Sequence, residues 1–179
     1  MTASIFRKSG LCWLWIALII LISDQWTKVL ADSELVLHKP VELMPFFNLT
    51  LAYNSGAAFS FLSDAGGWQK WFFIVLAVVV CAVLVVWLSR LSAAAKWEPI
   101  AICLVLGGAI GNVIDRFLYG HVIDFLDVYY ESETCLVMFA DAGTSCHWPA
   151  FNIADSAICV GAVMLIIESF MGKNKTPAE

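Results

Sequence analysis

Four long apolar stretches, separated by polar connections, dominate the pattern of this chain. The clearest, Trp71–Leu88, is free of polar residues and is close to the roughly 20 residues that cross the hydrocarbon core of a bilayer. The other three stretches have similar lengths and contain a few polar positions. The predicted spans cover residues 11–31, 69–89, 97–119 and 151–171. We therefore expect an all-α membrane protein, a four-transmembrane-helix bundle that forms one domain over residues 1–179.

A shorter pattern follows the first span. Phe47, Leu49, Leu51 and Tyr53 alternate with smaller or polar residues, as in a half-buried β-strand. A turn at Asn54–Gly56 follows, and the small residues after it would let another backbone approach closely. Two structures fit this segment: a small β-structured segment in the first outer loop, or a loop that only caps the bundle.

Composition supports the membrane interpretation and excludes one class of partner. The chain is 61% hydrophobic and 14% charged, with a mean hydropathy of +0.83, whereas about a quarter of the residues of a soluble domain are charged. The net charge of −5 and the absence of a basic cluster in the sequence argue against nucleic acid.

The basic residues predict the orientation in the membrane. They precede the first predicted span, separate the second from the third and follow the fourth: Arg7, Lys8, Arg90, Lys96, Lys173 and Lys175. Basic residues mark cytoplasmic segments, so both termini are expected in the cytoplasm. The connections at about 33–67 and 120–150 then face outward. A cleaved signal peptide would share the basic start, but the first apolar stretch does not close on a small-residue cleavage site.

Acidic residues lie at the ends of the apolar stretches. Asp24, Asp115 and Asp155 each lie at one end of a span, and Asp124 follows the third span closely. The predicted topology brings all four to the outer interface. Carboxylates are costly in a membrane, by about 2.5–3.5 kcal/mol at its centre, so a functional role is the default interpretation.

Helical spacing groups these acids with other polar residues. Asn112 precedes Asp115 by three residues, Asn152 precedes Asp155 by three, and Lys28 follows Asp24 by four, so each pair shares one helix face. A lipid-facing surface would not tolerate such pairs, and we expect them to face one another. Gly107 and Gly111, four residues apart, would let the third helix pack closely against a neighbour.

Two interpretations of the acids remain open at this point. In one, two facing carboxylates share a proton and hydrolyse a peptide bond. In the other, the acids form buried ion pairs that join helices, as Asp24 with Lys28 and Asp115 with Arg116 would. Asp124 and Asp155 have no basic neighbour within a helical turn and are the better catalytic candidates.

Cysteine and histidine positions suggest no metal site. Cys135 and Cys146 share the second outer connection, where both a disulfide and two free thiols are compatible with the sequence. His147 is interpreted as a solvated loop residue. The remaining cysteines lie within predicted spans and are expected to act as small apolar residues.

Five sequence blocks, in order and in position, resemble those of the bacterial lipoprotein signal peptidases (signal peptidase II), a family of membrane aspartic peptidases. The blocks occupy residues 23–28, 54–59, 111–116, 122–125 and 148–156. The resemblance extends from about Leu11 to Met171. One departure is the connection at 126–150, which is longer than is usual for the family.

The resemblance implies roles for individual residues. Asp124 and Asp155 match the catalytic dyad. The residues that match the substrate site are Asn54, Gly56, Asn112, Arg116 and Asn152. The residues that match the supporting polar network are Asp24, Lys28 and Asp115. No metal or other cofactor is implied.

The resemblance also implies partners and a location. Expected partners are prolipoproteins that carry a diacylglyceryl cysteine, membrane lipids and inhibitory cyclic peptides of the globomycin type. The expected location is the bacterial inner membrane, with the active site at the periplasmic face and a monomer as the working form. Two other classes are alternatives: a transporter would place acids near the midplane, and a non-catalytic scaffold leaves the outer polar pairs unexplained.

Overall fold

The computed structural model describes residues 9–56, 66–132, 134–136, 138–141 and 143–172. Its helices are α1 (Leu14–Glu34, preceded by a 3-10 turn at Gly10–Trp13), α2 (Gln69–Arg90), α3 (Trp97–Leu118) and α4 (Ile153–Gly172). By length and composition, four helical segments in the described part of the chain could cross a membrane. The predictions of four apolar helices and of a small amount of β-structure are confirmed.

The chain divides into two compact units. Among the described residues, the helical unit comprises 9–23, Leu76–Gly111 and 153–172. The sheet unit comprises the described residues within 24–75 and 112–152. Helices α1, α2 and α3 each contribute residues to both units.

An apolar core joins the helices of the helical unit. Its buried members are Ala17, Leu84, Leu88, Ile102, Cys103 and Leu106. Large apolar side chains elsewhere on these helices remain exposed, as on Val83 and Val163. A surface of this kind suits contact with lipid rather than with water.

Glycines bring the helix backbones of this unit close together. A Cβ atom added at Gly107 would lie 2.7 Å from the carbonyl oxygen of Ala17 in α1, which confirms the close approach predicted at this position. A Cβ at Gly108 would clash with the carbonyl oxygen of Ala154 in α4. Two adjacent glycines therefore allow α3 to pack tightly on two helices at once.

The sheet unit contains a five-stranded antiparallel sheet. The strands are β1 (Val41–Met44), β2 (Phe47–Asn54), β3 (Val122–Glu131), β4 (Ala140–Asp141) and β5 (Ser145–His147). Their spatial order is β1-β2-β3-β5-β4. The strand predicted from the alternation at 47–53 is confirmed as β2. No strand was predicted at β3, β4 or β5, which lie in the connection between α3 and α4.

Strand β3 is the centre of the sheet. It pairs with β2 on one side, with Asn48 opposite Asp127 and Ala52 opposite Asp124, and with β5 on the other, with Tyr129 opposite His147. Successive side chains of a strand point to opposite faces, so Asp124 and Asp127 lie on different faces of β3. A register shift between Leu49 and Ala52 bends β2 along this pairing.

A disulfide links strand β5 to the segment that follows β3. Cys135 and Cys146 are bonded, with their Cα atoms 5.4 Å apart, which decides the alternative that the sequence left open. Cys146 is fully buried in β5, opposite Tyr130 of β3. The bond therefore ties the long connection to the strand that borders β3.

We predict that Gly108→Ala destabilises the protein by about 1–3 kcal/mol, because the added methyl group overlaps the Ala154 carbonyl oxygen. Thermal unfolding in detergent measures the effect. Ala82→Leu, at an exposed position of α2, is the control and should leave the melting temperature nearly unchanged. Equal melting temperatures for wild type and Gly108→Ala would show that the packing of α3 on α4 is looser than described.

We predict that mass spectrometry without reductant shows Cys135 and Cys146 linked. The cross-link closes a loop with a sequence separation of 11, so replacing both cysteines by serine should cost about 2–3 kcal/mol of stability. Cys159→Ser changes an exposed free cysteine of α4 and serves as the control. Two free thiols in the native protein would refute the prediction.

Candidate active site

The side chain of Lys28 is the positive centre of a buried polar cluster. Its ammonium group lies 2.9 Å from Asp24 Oδ2, 2.8 Å from Asp115 Oδ2 and 2.9 Å from Asn112 Oδ1. Lys28 is 1% exposed, Asp24 0% and Asp115 1%. Helical spacing explains the geometry, since Asp24 and Lys28 lie one turn apart on α1 and Asn112 and Asp115 lie one turn apart on α3.

Asp115 joins this cluster to the start of strand β3. Its Oδ2 accepts a hydrogen bond from the backbone N–H of Ile123 at 3.2 Å, and its Oδ1 accepts one from Gln25 Nε2 at 2.8 Å. The interpretation that Asp115 pairs with the adjacent Arg116 is wrong. Asp115 forms its ion pair with Lys28 instead. Neighbouring residues on a helix point in different directions, whereas α1 presents Lys28 directly to Asp115.

Two asparagines lead from the cluster to Asp124. Asn112 Oδ1, which accepts from Lys28, also lies 3.3 Å from Asn152 Nδ2. The same Nδ2 group donates to Asp124 Oδ1 at 2.7 Å and lies 3.2 Å from the carbonyl oxygen of Ile123. A continuous hydrogen-bonded path therefore runs from Lys28 to the carboxylate of Asp124, which is only 2% exposed.

The other oxygen of Asp124 is held by the turn after β2. Asn54 Nδ2 donates to Asp124 Oδ2 at 3.2 Å, while Asn54 Oδ1 accepts the backbone N–H of Gly56 at 3.0 Å. The turn thus fixes the orientation of the Asn54 amide. Arg116 Nη2 donates to the carbonyl oxygen of Gly56 at 2.7 Å, and its guanidinium group lies 5.1 Å from the ring centre of Phe73.

Asp155 occupies the first turn of α4 and is partly exposed. The positive end of the helix dipole favours a carboxylate in this position. Asn152, which binds Asp124, lies directly before this helix and three residues before Asp155. The pairing of Asp155 with Asp124 stays a prediction.

The sheet unit therefore brings together most of the residues selected from the sequence. They are Asp24, Lys28, Asn54, Gly56, Asn112, Asp115, Arg116, Asp124 and Asn152. Gln25 was missed as a member of the network. It lies between two residues of the first sequence block, and that position was the available signal.

The environment of His121 disfavours its charged form. Its ring centre lies 4.3 Å from that of Tyr53, and burial lowers its pKa from the ordinary value, with Asp115 and Asp32 opposing the shift. A hydrogen bond to Asp32 raises the pKa of Tyr53. His121 is therefore expected to be neutral near pH 7. In the described part of the chain, no group of three or more His, Cys, Asp or Glu residues could hold a metal ion.

Comparison with known proteins agrees with the resemblance. The family model described as "Signal peptidase (SPase) II" matches residues 16–171. A lipoprotein signal peptidase of Aeromonas hydrophila is 48% identical over 170 residues, which cover 94% of this chain and 94% of that protein. One of Pseudomonas putida is 49% identical over 168 residues, which cover 93% and 91%.

Solved structures agree as well. A bacterial membrane enzyme superposes with a TM-score of 0.77 at 30% identity and covers 94% of this chain and 93% of its own. A second bacterial membrane enzyme gives a TM-score of 0.70, also at 30% identity, over 90% and 95% of the two chains. The match extends over both the helices and the sheet-forming connections, and the chain belongs to the signal peptidase II family.

Proposed function

We propose that this protein is an aspartic endopeptidase that removes the signal peptide from diacylglyceryl-modified prolipoproteins, immediately before the lipidated cysteine. Asp124 and Asp155 form the catalytic dyad. Membership of the signal peptidase II family supports the peptidase activity and the prolipoprotein substrate. The arrangement around Asp124 supports the choice of residues.

The observation that carries the proposal is that both carboxylate oxygens of Asp124 are hydrogen-bonded. One accepts a hydrogen bond from the side-chain amide of Asn152 at 2.7 Å, and the other accepts one from the side-chain amide of Asn54 at 3.2 Å. A buried carboxylate that is fixed in this way, at the end of the hydrogen-bonded path from Lys28, is preorganised for proton transfer. Asn152 directly precedes α4, and the first turn of that helix contains Asp155.

The dyad acts as a pair that holds one proton. The ionised carboxylate takes a proton from a water molecule, whose oxygen attacks the carbonyl carbon of the scissile peptide bond. The protonated carboxyl group donates to the carbonyl oxygen, and a proton then passes to the leaving amine as the carbon–nitrogen bond breaks. Two close carboxylates suit this division of roles because they titrate as a unit.

The residues assigned to the substrate site make contacts that would let them position a substrate backbone. Gly56 offers no side chain, so a substrate backbone can approach, and Arg116 already binds a backbone carbonyl oxygen, that of Gly56 itself. Asn54, Asn112 and Asn152 present amides along the path to Asp124. Holding the substrate carbonyls here would align the scissile bond with the dyad. Asp24, Lys28 and Asp115 form the supporting network.

The site is proposed to lie at the periplasmic face of the inner membrane, with both termini in the cytoplasm. The distribution of basic residues supports this orientation. The Cys135–Cys146 disulfide supports it independently, because such bonds persist in an oxidising compartment. The sheet, including its first two strands in the first outer loop, then lies on the outer side, where the cleavage site of a membrane-inserted signal peptide emerges.

A monomer contains the full residue set and is the proposed working form. Globomycin-type cyclic peptides are the expected inhibitors, and membrane lipids surround the exposed apolar helix surfaces. No nucleic acid or cofactor takes part in the proposed reaction.

We predict that Asp124→Asn and Asp155→Asn, made separately, each reduce cleavage of a diacylated precursor by at least about 1,000-fold, because either change removes one proton-transfer group. Cleavage by purified protein in detergent is measured by mass shift of the precursor. Asp32→Asn is the matched control, since Asp32 binds the hydroxyl group of Tyr53 outside the cluster. Turnover retained in either dyad variant would remove that residue from the dyad.

We predict that Lys28→Met destabilises the protein by about 3–5 kcal/mol, because Asp24 and Asp115 would keep their buried charges without a cation. Thermal unfolding in detergent provides the measurement. Lys70→Met is the control, since the Lys70 ammonium lies 3.4 Å from a carbonyl oxygen and over Trp71, and pairs with no carboxylate among the described residues. Equal losses in the two variants would contradict a special role for the buried cluster.

We predict that Asp115→Asn lowers both the melting temperature and the rate of precursor cleavage. The amide keeps the shape of the side chain but loses the charge that binds Lys28, and it offers one acceptor where the carboxylate offers two. The same two assays apply. Unchanged melting together with unchanged activity would argue against a supporting role.

A further inference from the structure

A second group of polar side chains occupies the face of the sheet opposite Asp124. Asp127 of β3 is 4% exposed, and its carboxylate lies 2.9 Å from Nδ1 of His147 in β5. Nε2 of the same ring lies 3.1 Å from Oγ of Ser145. The sequence-based interpretation of His147 as a solvated loop residue is therefore wrong. A hydroxyl group, an imidazole and a buried carboxylate form one chain of hydrogen bonds.

The antiparallel register produces this arrangement. Tyr129 and His147 are directly opposite each other, and their rings stack with centres 5.3 Å apart. Ser145 and His147 are two residues apart on β5, so both side chains point to the same face, and Asp127 is two residues before Tyr129 on β3. Asp127 is thus the diagonal neighbour of His147, within reach of a long side chain.

The hydrogen bonds define the tautomer of His147. Asp127 already accepts from the hydroxyl group of Thr50 at 2.8 Å, and its carboxylate needs a donor at Nδ1 of the ring. In a neutral imidazole with a proton on Nδ1, Nε2 is an acceptor. In that neutral form the hydroxyl group of Ser145 donates to Nε2, the orientation in which a serine is activated as a nucleophile.

A cavity of about 310 Å³ adjoins this group. Its lining residues are Pro40, Glu42, Asn48, Tyr129, Ser145 and His147. The volume is at the lower end of the range for ligand sites and suits a small molecule. Glu42 is exposed at the cavity and disfavours an anionic occupant, so a neutral or cationic molecule fits better.

We propose that Ser145, His147 and Asp127 form a second hydrolytic site, which acts on short neutral or cationic carboxylic esters. Ser145 is the nucleophile, His147 the general base and Asp127 the positioning residue. Ser145 Oγ forms a bond to the ester carbonyl carbon and its proton passes to His147 Nε2. The carbon–oxygen bond to the alcohol breaks, and the alcohol leaves with that proton.

Water completes the cycle. Its oxygen attacks the acyl group on Ser145, its proton passes through the same nitrogen, and the carboxylic acid leaves as Ser145 regains its hydroxyl proton. No electrons are exchanged with another molecule. Because Asp124 lies on the opposite face of β3, this chemistry is separate from the proposed peptidase dyad.

The test uses the full-length protein in detergent in an Asp124→Asn background, so that the proposed peptidase dyad cannot contribute. A fluorophosphonate is the covalent probe, and p-nitrophenyl acetate is the ester. We expect one phosphonyl adduct per chain, mapped by peptide mass spectrometry to Ser145. Mapping the adduct in the protein with Ser145 intact makes the result independent of how a variant folds. Absence of an adduct, or an adduct on another residue, would overturn the proposal.

Variants test the nucleophile and the positioning residue separately. Ser145→Ala should abolish labelling, whereas Ser132→Ala, which changes another serine of the same connection, should retain it. Asp127→Asn should slow labelling at least 100-fold, because its amide would donate to Nδ1 and shift the ring proton to Nε2. Ester turnover by Ser145→Ala equal to that of its parent would refute the hydrolytic role.

The pH profile distinguishes a base from a structural histidine. The groups around the His147 ring are Asp127 and Tyr129 of β3, Ser145 of β5 and, across the cavity, Glu42 of β1. Labelling should accelerate as pH rises through the range in which imidazolium groups lose one proton to become neutral imidazoles, and Asp127→Asn should remove this acceleration. A labelling rate that is independent of pH over this range would contradict general-base action by His147.

Discussion

The ammonium group of Lys28 is the interaction on which the polar site depends. It lies in a space with almost no solvent and contacts two carboxylates and one amide oxygen. Burying these charges singly would cost several kcal/mol each, so Asp24 and Asp115 are tolerated only as a set with the cation. From this centre, Asp115 binds the backbone of Ile123 and Asn112 contacts Asn152. Both contacts end beside Asp124.

The sequence predicted the features that repeat with a regular period. Apolar runs predicted the helices, alternation predicted β2, and three- or four-residue spacing predicted which polar side chains share a helix face. Strand β3 was not predicted, because its first four residues, Val122–Phe125, are all buried and show no apolar–polar alternation. The family assignment, in turn, removed the transporter and scaffold alternatives that spacing alone had left open.

Contacts that depend on strand register could not be predicted. Asp127 and His147 lie on different strands, and their approach requires Tyr129 to face His147 across the β3–β5 pair. Nothing in the local sequence specifies that register; only Cys135 and Cys146 marked the connection as constrained. Asp115 shows the same limit, since its ion-pair partner comes from α1 and not from its own helix.

The register of β3 is what keeps the two polar faces of the sheet distinct. A slip by one residue would exchange the faces of Asp124 and Asp127. Three sets of contacts oppose it: the Ile123 N–H bound by Asp115, the side-by-side pairing with β2, and the hydrogen bonds that join Phe151 to Phe125 and Leu126. The last set also positions Asn152, the next residue, against Asp124. The backbone contacts that fix the strand therefore also orient the carboxylate proposed to do the chemistry.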